Sequence, residues 1–173
     1  MATPVVVFIG APASGKSKIA KRVSVILDVP RVDTDITVVS EHGPISEIFD
    51  IQGEHMFREY ERTAVQKALT SNSVVSLGGG ATLNLETQAE LKIIPVVLLT
   101  VSEEAVSSRI SDPKRPLLRD GIYAWKKLVD ARMPTYQKLA WISFDTSDGD
   151  LDNIADQVVS WIKAGYPRQG DVK

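Results

Sequence analysis

The chain is expected to fold as a three-layer α/β structure: a five-stranded parallel sheet with helices on both faces. Two observations carry this. Strand-like runs recur along the 173 residues, at Val5–Ile9, Arg31–Asp33, Val74–Leu77, Pro95–Val101 and Ile142–Asp145. Between them apolar residues fall at helical spacing, most clearly over Glu54–Leu69 and Asp150–Lys163. Alternating strands and helices build a parallel sheet, because each crossover has to travel back along a sheet face.

Taken in order, Val5-Val6-Val7-Phe8-Ile9 is a continuous apolar run, as a strand buried on both faces requires. Lys18 to Asp28 reads as a helix, and Arg31–Asp33 as a short strand ending in carboxylates. A helical stretch covers Ile45 to Phe49. The long helix Glu54–Leu69 places Phe57, Tyr60, Ala64, Val65 and Ala68 on one side. Val74–Leu77 runs into Gly78-Gly79-Gly80. The segment from Ser111 to Gly121 is polar and basic, with two prolines and a glycine, and reads as a long surface loop of the kind that serves as a mobile active-site lid. A helix follows from Tyr123, which Pro134 is expected to kink or end. Leu151, Ile154, Val158 and Ile162 form the stripe of the last helix; the tail from Ala164 to Lys173 has no stripe and is expected to fray. The length suits one domain over residues 1–173.

Composition narrows the function. A net charge of −2 gives no basic field for nucleic acid or an anionic membrane. The absence of cysteine excludes disulfides, thiolate metal sites and a cysteine nucleophile. The two histidines, His42 and His55, share no ligand spacing. The amino-terminal residues lack the basic and apolar regions of a secretory leader, and no apolar stretch approaches the roughly 20 residues that span a bilayer. A cytoplasmic location is expected.

The most specific motif is Gly10-Ala11-Pro12-Ala13-Ser14-Gly15-Lys16-Ser17, which fits G-x-x-x-x-G-K-[ST] between a strand and a helix. In that setting backbone N–H groups and the positive end of the helix cradle a polyphosphate. Lys16 supplies a point charge and the Ser17 hydroxyl a magnesium ligand. A glycine-rich turn that only caps a helix is the plainer reading. Asp33-Thr34-Asp35 puts two carboxylates at a strand end, one able to face magnesium through water and the other a substrate hydroxyl; the plainer reading is a helix cap. Arg58 can grip a carboxylate with its planar fork, or pair with Glu54 or Glu61 on its own helix. Gly78-Gly79-Gly80 exposes consecutive N–H groups to a ligand, or is a flexible turn. Arg132 can reach inward or lie on a solvated face, and Arg109, Arg115 and Arg119 belong to the loop and its entry. Because ligands of open parallel sheets bind beyond the carboxyl ends of the strands, the groups after the first three strands should converge on one edge. Asp50-Ile51-Gln52-Gly53 spells D-x-x-G, but it follows a helical stretch and no N-K-x-D occurs, so a guanine-nucleotide switch is not indicated.

The ordered set GAPASGKS, D-T-D, IFDIQGEHMFREYE, LGGGA, KRPLL and ARMPTY closely resembles the shikimate kinase family, from about Val5 to Trp161. The resemblance implies a P-loop kinase fold with a lid, and magnesium-dependent transfer of the γ-phosphoryl group of ATP to the 3-hydroxyl of shikimate, on the route to chorismate and the aromatic amino acids. Carried over by position, it implies Asp35, Arg58, Gly79 and Arg132 as shikimate contacts, with the neighbouring Gly78 and Gly80 in the same pocket and Glu61 bracing the arginines. Lys16, Asp35 and Arg115 become the groups at the reacting atoms. Ala13, Ser14, Gly15, Lys16, Ser17 and Lys18 would hold the phosphates, Arg109 would stack on adenine, and Ser17 and Asp33 would hold magnesium, Asp33 through water. A monomer is expected. The chain departs from the common pattern at Lys18, where threonine is usual, in a short segment Ser111–Lys114, and in having no arginine within Ser147–Asp150. Two other readings stand beside this one: another small-molecule kinase of the same fold, acting on gluconate or a nucleoside monophosphate, and a nucleotide-binding module without catalysis.

Overall fold

The computed structural model describes residues 2–109 and 121–169. The five strands are β1 (Val6–Gly10), β2 (Arg31–Asp33), β3 (Val74–Ser76), β4 (Val96–Thr100) and β5 (Ile142–Asp145). They pair in the order β2-β3-β1-β4-β5, and every pair is parallel. The main helices are α1 (Lys16–Leu27), α2 (Thr34–His42), α4 (Gly53–Leu69), α7 (Gly121–Leu139) and α8 (Leu151–Lys163). Shorter ones are α3 (Ile45–Glu47), which leads into a π-helical turn Ile48–Gln52, then α5 (Leu85–Leu91) and α6 (Glu103–Ser107).

Strand side chains alternate between two cores. Val6, Phe8, Val97 and Leu99 face Ile19, Ala20 and Val23 of α1 and Ile154, Ala155 and Val158 of α8. Val7, Ile9, Val96 and Leu98 face Val65 and Ala68 of α4 and Tyr136 and Leu139 of α7. A period of two in residues buried on both faces explains why β1 reads as an unbroken apolar run.

Two expectations are corrected. Pro134 does not end its helix: α7 runs on to Leu139, with Val129 and Tyr136 buried on either side of the proline. Packing on both flanks outweighs the one backbone hydrogen bond that proline removes. The tail, expected to fray over 164–173, is held as far as Gln169, and residues 170–173 lie outside the described residues. The Gln169 amide donates to the Trp141 carbonyl (2.9 Å), the Trp161 indole donates to the Pro167 carbonyl (2.8 Å), and Arg168 lies 4.1 Å over the Trp141 ring. The aromatic residues on which this segment folds back come from other elements, so no local stripe announces them. The expected lid, with Arg115 and Arg119, lies outside the described residues except for Gly121, which opens α7.

Candidate active site

β1 delivers the chain into the phosphate loop, and α1 begins inside the motif at Lys16. Gly10 is required where it stands: its φ is +143°, and a Cβ there would collide with the Leu99 carbonyl oxygen of the neighbouring strand. The loop carbonyls are engaged one after another. Lys16 Nζ donates to Gly10 O (2.9 Å) and Ala11 O (2.8 Å). Trp125 Nε1 donates to Pro12 O (2.8 Å), Arg109 Nη1 to Ala13 O (3.0 Å) and Thr146 Oγ1 to Ser14 O (2.8 Å). With its carbonyls bonded to the protein, and the Ser14 amide turned back to Ala11 O (3.3 Å), the loop presents its other amides beside the positive end of α1.

The two readings of Asp33 turn out to be compatible. Its Oδ1 accepts from the amides of Asp35 (3.1 Å) and Ile36 (3.2 Å), which caps α2, while its Oδ2 accepts from Ser17 Oγ (2.5 Å). The cap therefore fixes the carboxylate beside the hydroxyl at the end of the loop. Two adjoining oxygen donors suit magnesium, a hard cation that takes oxygen ligands and keeps several waters. Among the described residues no group of three or more His, Cys, Asp or Glu could hold a metal ion by itself, so an ion at Ser17 would take its remaining ligands from phosphate and from water, one water leading to Asp33.

The other half of the site forms around the exit of β3. The Gly78 amide donates to the buried Thr34 hydroxyl (3.0 Å), tying the glycine run to the start of α2. Side chains from three helices then fill the space that the glycines leave. A Cβ on Gly78 would strike Asp35 Oδ1 and stand 2.9 Å from Glu61 Oε1; one on Gly80 would overlap the Arg58 guanidinium. Arg132 Nη1 approaches Gly79 to 3.4 Å of the same construction. From α4, Arg58 Nη1 donates to Glu61 (2.7 Å) and its Nη2 to Glu54 (3.1 Å). The helix pairing anticipated as the plainer alternative is thus present, and it holds the guanidinium against the glycines. Arg132 is only 7% exposed, and among the described residues its Nη1 has no hydrogen-bond partner. A buried charge with an open donor is the expected mark of a site waiting for an anion.

Burial raises two carboxylates in this half of the site. Burial, reinforced by the charges of Asp33 and Glu61, raises the Asp35 pKa to about 6 against the pull of Lys16 and Arg58. Glu61 is also raised by burial, although Arg58 and Arg132 oppose it.

One cleft of about 680 Å³ joins the two halves. Ala13, Gly15, Lys16, Ser17, Lys18, Asp33 and Arg109 line it on the loop side, and Asp35, Arg58, Glu61, Gly79 and Gly80 on the other. Ser14, Gly78 and Arg132 lie buried beneath the lining. Trp125, Thr146, Thr34 and Tyr136, whose hydroxyl bonds to Gly79 O at 2.5 Å, escaped the sequence reading as site residues. The ARMPTY motif includes Tyr136 but gives no sign of its partner.

A phosphate loop, an adjoining pair of magnesium-type ligands and an arginine-lined second chamber over a parallel sheet define a P-loop kinase acting on a small anionic molecule. Comparison with known proteins gives the particular kind. The family model for shikimate kinase matches residues 12–163, and the chain belongs to that family. A shikimate kinase of Thermobifida fusca is 37% identical over 165 residues, covering 93% of this chain and 96% of the relative. The structure of shikimate kinase from Acinetobacter baumannii in complex with shikimate superposes with a TM-score of 0.86 at 25% identity, over 95% of each chain. The shikimate kinase of Aquifex aeolicus superposes with a TM-score of 0.78 at 28% identity, over 92% of this chain and 96% of that one. The protein is accordingly an ATP-dependent phosphotransferase acting on a hydroxyl of shikimate. Among the described residues no helix is long and apolar enough to cross a membrane.

Proposed function

We propose that the cleft performs this transfer with ATP on the loop side and shikimate among Asp35, Arg58, Gly79 and Arg132. The observation that carries the assignment is the buried Arg132 guanidinium with its open Nη1, beside an Arg58 already held in place by Glu54 and Glu61. Two fixed guanidinium groups suit a carboxylate.

The substrate carboxylate binds Arg58 and Arg132, and the backbone around Gly79 closes the pocket. Asp35 accepts the hydrogen bond of the 3-hydroxyl. That oxygen attacks the γ-phosphorus, the bond to the bridging oxygen of ADP breaks, and the hydroxyl proton passes to Asp35. A carboxyl raised to about 6 is ionised at neutral pH yet more basic than an exposed one, which suits that role. Lys16, with Arg115 of the undescribed segment, neutralises charge on the moving group. Ser17 directly and Asp33 through water would hold magnesium, which would supply charge neutralisation on the phosphates. Arg109, bonded to Ala13 O and Thr146 O, forms the wall at the adenine end. Positioning and charge neutralisation dominate such a reaction, so rigid placement of these groups is the main catalytic requirement. The enzyme works as a cytoplasmic monomer.

The test compares shikimate, gluconate and AMP as acceptors in a coupled assay for ADP, with and without magnesium. Shikimate alone is expected to stimulate, and only with the metal. Equal stimulation by gluconate would defeat the acceptor assignment.

A further inference from the structure

On the inner face of α7 the reaction scheme uses Arg132 but leaves Trp125 and Tyr136 without a role. Trp125, Arg132 and Tyr136 are spaced by seven and four residues, which places them on one side of the helix. All three are buried. Trp125 Nε1 bonds to Pro12 O of the donor loop at 2.8 Å, and Tyr136 Oη to Gly79 O of the acceptor loop at 2.5 Å. The two loops lie close together: a Cβ built on Gly79 would stand 3.4 Å from the Pro12 ring carbons.

The donor loop needs such support. Ala13 has φ +68°, a left-handed conformation that a residue with a Cβ adopts only under restraint. The carbonyls on either side of that torsion are both held from outside the loop, Pro12 O by Trp125 and Ala13 O by Arg109. The Trp125 ring is packed with Ala11, Ala13, Val106 and Val129, so the indole cannot swing away without opening that cluster.

We propose that Trp125 is a positioning residue for the phosphoryl donor: its indole N–H holds the Pro12–Ala13 peptide in the orientation that turns the loop amides to phosphate, and α7 thereby sets the donor loop against the acceptor loop that Tyr136 holds. The proposal rests on the loop being the ATP site.

Trp125→Phe keeps an aromatic ring in the cluster and removes the donor, together with part of the indole's volume. A single hydrogen bond of this kind corresponds to a roughly three- to tenfold effect, expected here as a rise in the KM for ATP, with the KM for shikimate within twofold of the parent. Adding Ala13→Gly, which takes the left-handed conformation freely, should recover most of that loss; a structural role for Trp125 would not be rescued in this way. An unchanged ATP KM, equal rises in both KM values, or no recovery with glycine would overturn the proposal. Lys16→Ala in parallel separates the two readings: if it abolishes transfer while Trp125→Phe changes nothing, the donor site stands and Trp125's role falls. Should the phenylalanine variant fail to fold, the indole N–H resonance of Trp125 in the parent enzyme decides. It is expected to move on addition of ADP, and a resonance that stays in place would overturn the proposal.

Discussion

The Arg58 guanidinium occupies the space that a side chain on Gly80 would fill: a Cβ built there overlaps Nη1 and lies 2.7 Å from Cζ. Gly80 has φ −98° and ψ −5°, a conformation open to any residue, so the requirement for glycine is one of space alone. Gly80→Ala should therefore fold with a melting temperature close to the parent, because a long side chain can yield, and should raise the KM for shikimate about tenfold or more by displacing the clamp. A lowered melting temperature with an unchanged KM would mean that Arg58 has no part in binding.

Asp35 gives a prediction with a sign. Its pKa rises from 3.8 in the unfolded chain to about 6 in the fold, so between those values the folded state holds more protons. Its contribution to stability is complete below about pH 4 and is lost as pH rises through about 6. Asp35→Asn should consequently be inactive yet more stable than the parent at pH 8, by about 1–3 kcal/mol, with the difference shrinking toward pH 4. Urea unfolding at both values checks this. In the active enzyme the same group should give an acid limb in kcat/KM near pH 6.

Removing Glu61 should disturb both arginines. It is 4% exposed and bonds Arg58 at 2.7 Å. Glu61→Ala is expected to cost about 1.5–3 kcal/mol, typical of a hydrogen bond to a charged group, and to weaken shikimate use more than ATP use. Thermal unfolding and separate KM values for the two substrates measure the two effects.

Arg132 should behave in the opposite way toward stability. Its buried guanidinium has an open donor, so Arg132→Met fills similar space and removes that unsatisfied group, while Glu61 keeps Arg58 as its partner. The variant is expected to melt no lower than the parent while losing shikimate-stimulated turnover by two orders of magnitude or more, roughly the scale of a lost substrate-positioning group. Equal shikimate kinetics in the two proteins would remove Arg132 from the site.

The strands and the donor motif were legible because their signals are local: an apolar run, a glycine spacing, a carboxylate at a strand end. Asp33 and Arg58 each carried two readings; the cap and the helix ion pair are present, and each fixes its side chain where the proposed role needs it. The supports were not legible. Trp125 meets Pro12 across 113 positions of sequence, Thr146 meets Ser14 across 132 and Tyr136 meets Gly79 across 57. No periodicity encodes such pairs; the parallel topology brings them to one edge of the sheet. The helix α7 was underestimated for a related reason, since Pro134 is a local signal and the packing that carries the helix past it is not.

The central claim is that one cleft holds donor and acceptor together, with shikimate among Asp35, Arg58, Gly79 and Arg132. Isothermal titration of shikimate into the parent, Arg58→Ala and Arg132→Ala proteins, each with magnesium and ADP present, tests it most directly. The account predicts one site per chain in the parent and affinity lowered at least tenfold in each variant, roughly the loss of one charge-assisted contact. Undiminished binding in both variants would contradict it.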